Sequence, residues 1–187
     1  MAAESNLKNM ALCLTLVCLF CSAVLAAVYV VTKDPIERTN ANILKESIGT
    51  VLPPGGDLSE ERPLEVGGLP SVYYVNSSAG MPAAYAIKSS TVGFSGPLTL
   101  MVGITADGKI YNTSVLSHSE TPGLGAKCAT DEPFIMQFKG FDPAEKILAV
   151  KKDGGDLDAI TASTITSRAY ALAIQNALAA FQTIKGE

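Results

Sequence analysis

The sequence predicts an α+β protein, with a single N-terminal transmembrane helix followed by one domain that has an antiparallel sheet and flanking helices. Three observations lead there. Residues 10–31 hold no charged side chain and are nearly all apolar, about the length that spans a bilayer as a helix. Between Val72 and Leu116, short segments rich in β-branched and aromatic residues are separated by turn residues. Past Ser163, residues Tyr170, Ile174, Ala177, Leu178 and Phe181 fall on one helical face. Helix, then strands, then helices is the order of an α+β domain.

The elements follow in turn. The run at 10–31 competes with a cleaved signal peptide, since Ser22 to Ala26 are small. It is longer than a typical signal core and continues through Val30 and Val31, which favours a retained anchor. Asp34-Pro35 then reads as the start of a second helix, a capping acid followed by proline at the first position. Ile36, Ile43, Leu44, Ile48, Val51 and Leu52 repeat at helical spacing until Pro53-Pro54 stops them. Residues 53–70, rich in Pro, Gly and acids, read as a loop. Strands are expected at 72–75, 84–88, 98–105 and 109–116, the last two forming a hairpin that turns at Ala106-Asp107-Gly108. A short helix is expected over 132–138, a short strand over 147–151, and the closing helix from about Ser163. The division is a tail at 1–9, an anchor at 10–31 and one domain over 32–187.

Composition limits the function. A chain of 187 residues has room for one soluble domain beyond the anchor. Of its 14 basic and 18 acidic residues, Lys8 and Glu4 precede the anchor, leaving 13 and 17, a net charge of −4. That balance offers nothing to nucleic acid or to an anionic lipid surface. Cys13, Cys18 and Cys21 lie in the apolar run, where cysteine packs as a small apolar residue, and Cys128 stands alone beyond it, so the domain has no internal disulfide. His118, the only histidine, lacks partners at ligand spacing, and no metal site is expected. Neither a Gly-x-Gly-x-x-Gly turn nor a P-loop is present, and nothing supports a hydrolase built on Ser117 or Ser163 with His118.

The hydroxyl run is the chemical signal. Thr161, Ser163, Thr164, Thr166 and Ser167 crowd the start of the last helix. One or two would serve as a helix cap. A helix N-terminus also favours a bound anion, above all phosphate. The loop Glu120-Thr121-Pro122-Gly123-Leu124-Gly125 has the make-up of an ordinary turn and equally suits a cofactor loop: proline fixes φ, glycines let backbone approach a flat ligand, and Leu124 offers an apolar surface.

These residues carry a resemblance. Asp158-Ala-Ile-Thr161-Ala162-Ser163-Thr164-Ile-Thr166 resembles the flavinylation motif Asp-x-x-(Ser/Thr)-Gly-Ala-Thr-x-(Ser/Thr). That motif marks the FMN-binding domain shared by the Rnf G subunit and the C subunit of the sodium-pumping NADH:quinone reductase. Ala162 and Ser163 stand where Gly and Ala are usual. The Glu120 to Gly125 hexapeptide resembles the family's second signature, and Gly93-Phe-Ser-Gly-Pro-Leu with Asp107-Gly108 matches in order and spacing. The likeness covers roughly residue 8 onward, closest to the Rnf G subunit.

What the resemblance implies is specific. FMN is attached through a phosphoester to Thr164, with Thr161, Ala162 and Ser163 around it. Glu120, Thr121, Gly123, Leu124 and Gly125 lie beside the flavin. Asp158 serves recognition by a flavin-transferring enzyme that uses FAD. The chain is then a single-pass protein of the cytoplasmic membrane, held in lipid by residues 10–31, with its domain on the extracytoplasmic side. Charge does not supply that orientation: Lys8 precedes the span while Lys33, Arg38 and Lys45 follow it. The expected role is electron relay among other subunits of an Rnf-type complex that couples ferredoxin:NAD electron transfer to ion translocation, a redox subunit and not a self-contained enzyme. The alternatives are a non-redox tethered module, whose hydroxyls only cap a helix, and a stand-alone extracytoplasmic flavin reductase domain.

Overall fold

The computed structural model describes residues 7–186; residues 1–6, part of the expected tail, and Glu187 lie outside the described residues. The chain divides between Ile43 and Leu44 into two compact units. Helix α1, Leu7–Val51, makes up the first and contributes its last two turns to the second. Among the described residues it is the one helix long and apolar enough to cross a membrane, and none of its most apolar stretch is buried within the chain. Such a helix suits lipid, where apolar side chains need no protein cover.

The sequence led us to expect a break before a second helix at Asp34-Pro35. The chain stays helical instead, with Pro35 inside α1. A proline removes one donor and crowds one carbonyl. That loss is local, and the periodic sequences on both sides favour helix growth once it has begun. Thr32 and Thr39 add hydroxyl bonds to the carbonyls of Val28 and Pro35, at 2.8 and 2.9 Å, within the surrounding turns.

The second unit is built on a six-stranded antiparallel sheet. Its strands are β1 (Asp57–Leu58), β2 (Arg62–Val66), β3 (Leu69–Ser78), β4 (Met81–Val92), β5 (Pro97–Thr105) and β6 (Ile110–His118). The order is β1-β3-β4-β5-β6, with β2 also pairing β3. All four expected strands are present: β3 and β4 run several residues longer, β5 begins one residue earlier, and β6 begins one residue later and ends two residues later. Two corrections apply. The presumed loop at 53–70 contains β1 and β2, with Pro63 opposite Val72. A strand that pairs on one side only tolerates proline, which is why the composition disguised it. The strand expected at 147–151 is reduced to one parallel bridge, Val150 to Leu157, followed by a 3₁₀ turn at Lys151–Asp153. The chain reverses there too quickly for a ladder to grow. A 3₁₀ turn at Gly125–Ala129 and helix α2, Glu132–Met136, precede it, and helix α3 closes the fold over Thr164–Gly186.

The sheet's period of two sorts its side chains between two cores. Ile87, Leu98, Leu100, Val102 and Ile104 pack with Tyr170, Ile174, Ala177 and Phe181 of α3 and with Phe134 and Phe138. Ala84, Ala86, Met101 and Tyr74 face the other way, onto Ile48, Val51 and Leu52 at the end of α1. Two buried hydroxyls lock α3 to β4: Ser89 donates to the carbonyl of Ala173 at 2.7 Å and Thr91 to that of Ala169 at 3.0 Å. The alanines on that face of α3 allow this close approach, and the helix start is thereby fixed beside the loops at one end of the sheet.

Candidate functional site

Three segments meet at that end: the β4–β5 turn, the loop after β6 and the first turn of α3. Glu120 joins them. Its side chain is only 5% exposed and both carboxylate oxygens are bonded. The backbone N–H of Phe94 donates to Oε1 at 2.7 Å, and the Thr166 hydroxyl donates to Oε2 at 3.0 Å. The His118 ring accepts the backbone N–H of Glu120 at 3.3 Å. A buried carboxylate is costly unless its lone pairs are matched, and here a backbone donor and a hydroxyl match them. The fit is tight. A side chain at Gly93 would collide with Oε1 of this carboxylate. One at Gly125 would collide with Oε2 and stand 2.8 Å from the Thr166 hydroxyl. Gly123 differs: a Cβ there meets nothing within 4 Å, but its φ of +75° is a conformation that side chains rarely adopt.

Behind the carboxylate lies Cys128, fully buried. Loss of solvent, and then the charge of Glu120, push its thiol from 9.0 up to about 11. It stays protonated at neutral pH and lacks the thiolate a nucleophile would need.

In front of the carboxylate opens a pocket of about 360 Å³, lined by Phe94, Thr121, Leu124 and Ile165 toward solvent and by Ser163, Thr164 and Thr166 along the helix start. Part of the lining is apolar and exposed, with Phe94 68%, Leu124 46% and Ile165 50% accessible. The rest combines hydroxyls with the unpaired N–H groups of a 23-residue helix. A flat, apolar ring system carrying a phosphate matches this lining. Thr164 is the first residue of α3, and its hydroxyl is half-buried in the pocket wall.

Of the residues singled out from sequence, Glu120, Thr121, Leu124, Gly125, Ala162, Ser163 and Thr164 line this one pocket. Gly123 shapes the loop without lining it. Asp158 and Thr161 line a separate depression with Gln137 and Phe134. Asp158 is exposed there and paired to Lys151, whose Nζ lies 2.7 Å from Oδ1. Sequence reasoning assigned no role to Phe94 or Ile165, and Lys152 was missed altogether; its Nζ lies 3.4 Å from the Thr164 hydroxyl. Phe94 sits inside the Gly93 to Leu98 segment, which was noticed only as a match. Lys152 is twelve residues from Thr164, and nothing local connects the two.

Ala162 has a φ of +61°, in the left-handed region. A Cβ is unfavourable in that conformation, so the alanine here carries strain.

The FMN-binding domain family matches residues 93–179, a span that contains every residue lining the pocket. The chain is 34% identical over 179 residues to the G subunit of the ion-translocating oxidoreductase complex of Shewanella baltica, covering 88% of this chain and 84% of that protein. It is 30% identical over 176 residues to the G subunit of the proton-translocating ferredoxin:NAD(+) oxidoreductase complex of Clostridium ljungdahlii, covering 92% and 90%. Among solved structures it is similar in fold to Shewanella oneidensis NqrC, with a TM-score of 0.50 and 22% identity over 63% of this chain and 60% of that one.

Proposed function

The chain belongs to the family of G subunits of ion-translocating oxidoreductase complexes, and from that premise we propose that it relays electrons within such a complex through FMN held covalently at Thr164. It is a flavin-binding electron-transfer subunit, anchored in the membrane by one helix, and its partners are the other subunits of the complex. The observation that carries the attachment is the place of Thr164: a hydroxyl at the start of a long helix, in the wall of a pocket that Glu120, Thr121, Leu124 and Gly125 also line.

Bound there, FMN supplies the redox chemistry. The residues of this chain orient it. Leu124, Phe94 and Ile165 would cover the ring, and the helix N-terminus would take the phosphate. Attachment would have the Thr164 hydroxyl give up its proton and bond to the flavin-side phosphorus of FAD, with AMP as the leaving group. A flavin-transferring enzyme performs this step, reading Asp158 on the exposed turn before α3. Coupling of ferredoxin:NAD electron transfer to ion movement, and a domain on the extracytoplasmic side, complete the proposal. A tether outside the cytoplasm prevents loss of a cofactor that could not readily be replaced.

The test is Thr164→Val, expressed with the flavin-transferring enzyme. The variant should fold but lose the flavin fluorescence that survives denaturing electrophoresis. Retained fluorescence would refute attachment at Thr164, and loss from Thr166→Val alone would move the site. A tethered module without redox function would show no covalent flavin in the unsubstituted protein. A stand-alone reductase would purify without other membrane subunits.

A further inference from the structure

Three cations surround the start of α3. Lys151 is paired with Asp158, its Nζ 2.7 Å from Oδ1. Arg168 is paired with Asp153 by two bonds of 2.7 Å, from Nε and Nη2 to the two carboxylate oxygens. Lys152 is different. Among the described residues it takes part in no ion pair, and its ammonium points at the Thr164 hydroxyl, 3.4 Å away. Both flanking cations are bonded to neighbouring acids, while Lys152, whose charge also acts on Asp153, makes its one side-chain contact among the described residues with a neutral oxygen. In a chain of net charge −4, that arrangement is not a by-product of a basic surface.

We propose that Lys152 binds the phosphate of the flavin tether at Thr164. This inference rests on the attachment proposed above and adds a residue to it. A phosphodiester at Oγ1 would put two non-bridging oxygens, sharing one negative charge, two bonds beyond the atom Lys152 already approaches. A 3.4 Å contact to a neutral hydroxyl then becomes a charge-assisted bond. The helix N-terminus favours the same negative charge from the other side. Lysine suits the task because a phosphodiester in a flexible tether asks for a point charge on a long stem. Its three-residue 3₁₀ turn is held in place by the pairs on either side, Lys151 with Asp158 and Arg168 with Asp153. Lys152 is therefore a binding residue for the phosphate and has no part in electron transfer at the ring.

The experiment uses the full chain in detergent, prepared with and without the flavin-transferring enzyme, as the original protein and as Lys152→Met and Lys152→Arg. Intact mass gives the flavin content, and thermal melting of the modified and unmodified forms gives the gain in melting temperature on modification. All three unmodified forms should melt alike, since Lys152 is exposed. In Lys152→Met the gain on modification should shrink, and the initial rate of flavin incorporation at low salt should fall about fivefold, the scale of one exposed charge interaction. Lys152→Arg should restore both, and added salt should erase the difference between Lys152→Met and the original. An equal gain in fully flavinylated Lys152→Met and original protein would overturn the role of Lys152 and leave attachment standing. Original protein without flavin mass, or with it on another residue, would overturn both.

Discussion

At the scale of single residues, the site contains one position where the sequence works against its own backbone. Ala162 sits at a φ of +61° and is exposed, so its side chain has room and only the conformation is strained. Ala162→Val should cost about 2 kcal/mol of stability, because a β-branched residue suits the left-handed region least. Ala162→Gly should cost nothing or add a few tenths, the relieved strain offsetting the greater freedom of glycine in the unfolded chain. Chemical denaturation of the two variants checks this. A Val variant as stable as the original would show that the turn relaxes to another conformation. The strain was visible in the sequence only as a departure from a motif; its physical meaning needed the dihedral angle. Thr164 and the Glu120 loop were legible because each belongs to a short contiguous signature. Lys152 was not, because its relation to Thr164 exists only after the chain has folded back at Gly154 and Gly155.

At the scale of elements, legibility followed periodicity. The central strands and α3 repeat strongly and were read correctly in type. β2 was hidden by Pro63, and the continuity of α1 was hidden by Asp34-Pro35, two cases where a local breaker signal lost to pairing or to helix propagation. The seat of α1 on the sheet could not be foreseen from α1 alone, because it depends on Gly103 near the C-terminal end of β5. A side chain there would drive into the carbonyl of Val51, the last residue of α1. Nearby, Asn112 Nδ2 donates to the carbonyl of Thr50 and Ser114 donates to the Ser47 hydroxyl, at 3.1 and 3.0 Å. Gly103→Ala should therefore lift these last turns off the sheet and lower stability by about 3 kcal/mol, since backbone rather than a movable side chain is in the way. The flavin pocket uses the opposite end of β5 and should retain its flavin content. A denaturation midpoint unchanged by Gly103→Ala would mean that α1 is not seated as described.

At the scale of the whole molecule, the expectation to be tested is sidedness. Basic residues lie mainly after the anchor, so charge favours the opposite orientation to the one proposed, and the location of the cofactor must decide between them. Protease added to intact spheroplasts should digest the chain beyond Lys33. Protection until lysis would place the domain in the cytoplasm. Glu120 has a consequence of another kind, for the timing of biogenesis. The sheet is a succession of hairpins in which β3 to β6 pair with their neighbours in sequence. The two bonds to the Glu120 carboxylate instead span 26 and 46 residues, and the longer awaits the first turn of the last helix. Loops of that length close after local pairings have formed. A ribosome must thus have delivered the start of α3 before the cleft can take shape, and a chain interrupted ahead of that helix would never acquire a seat for its cofactor.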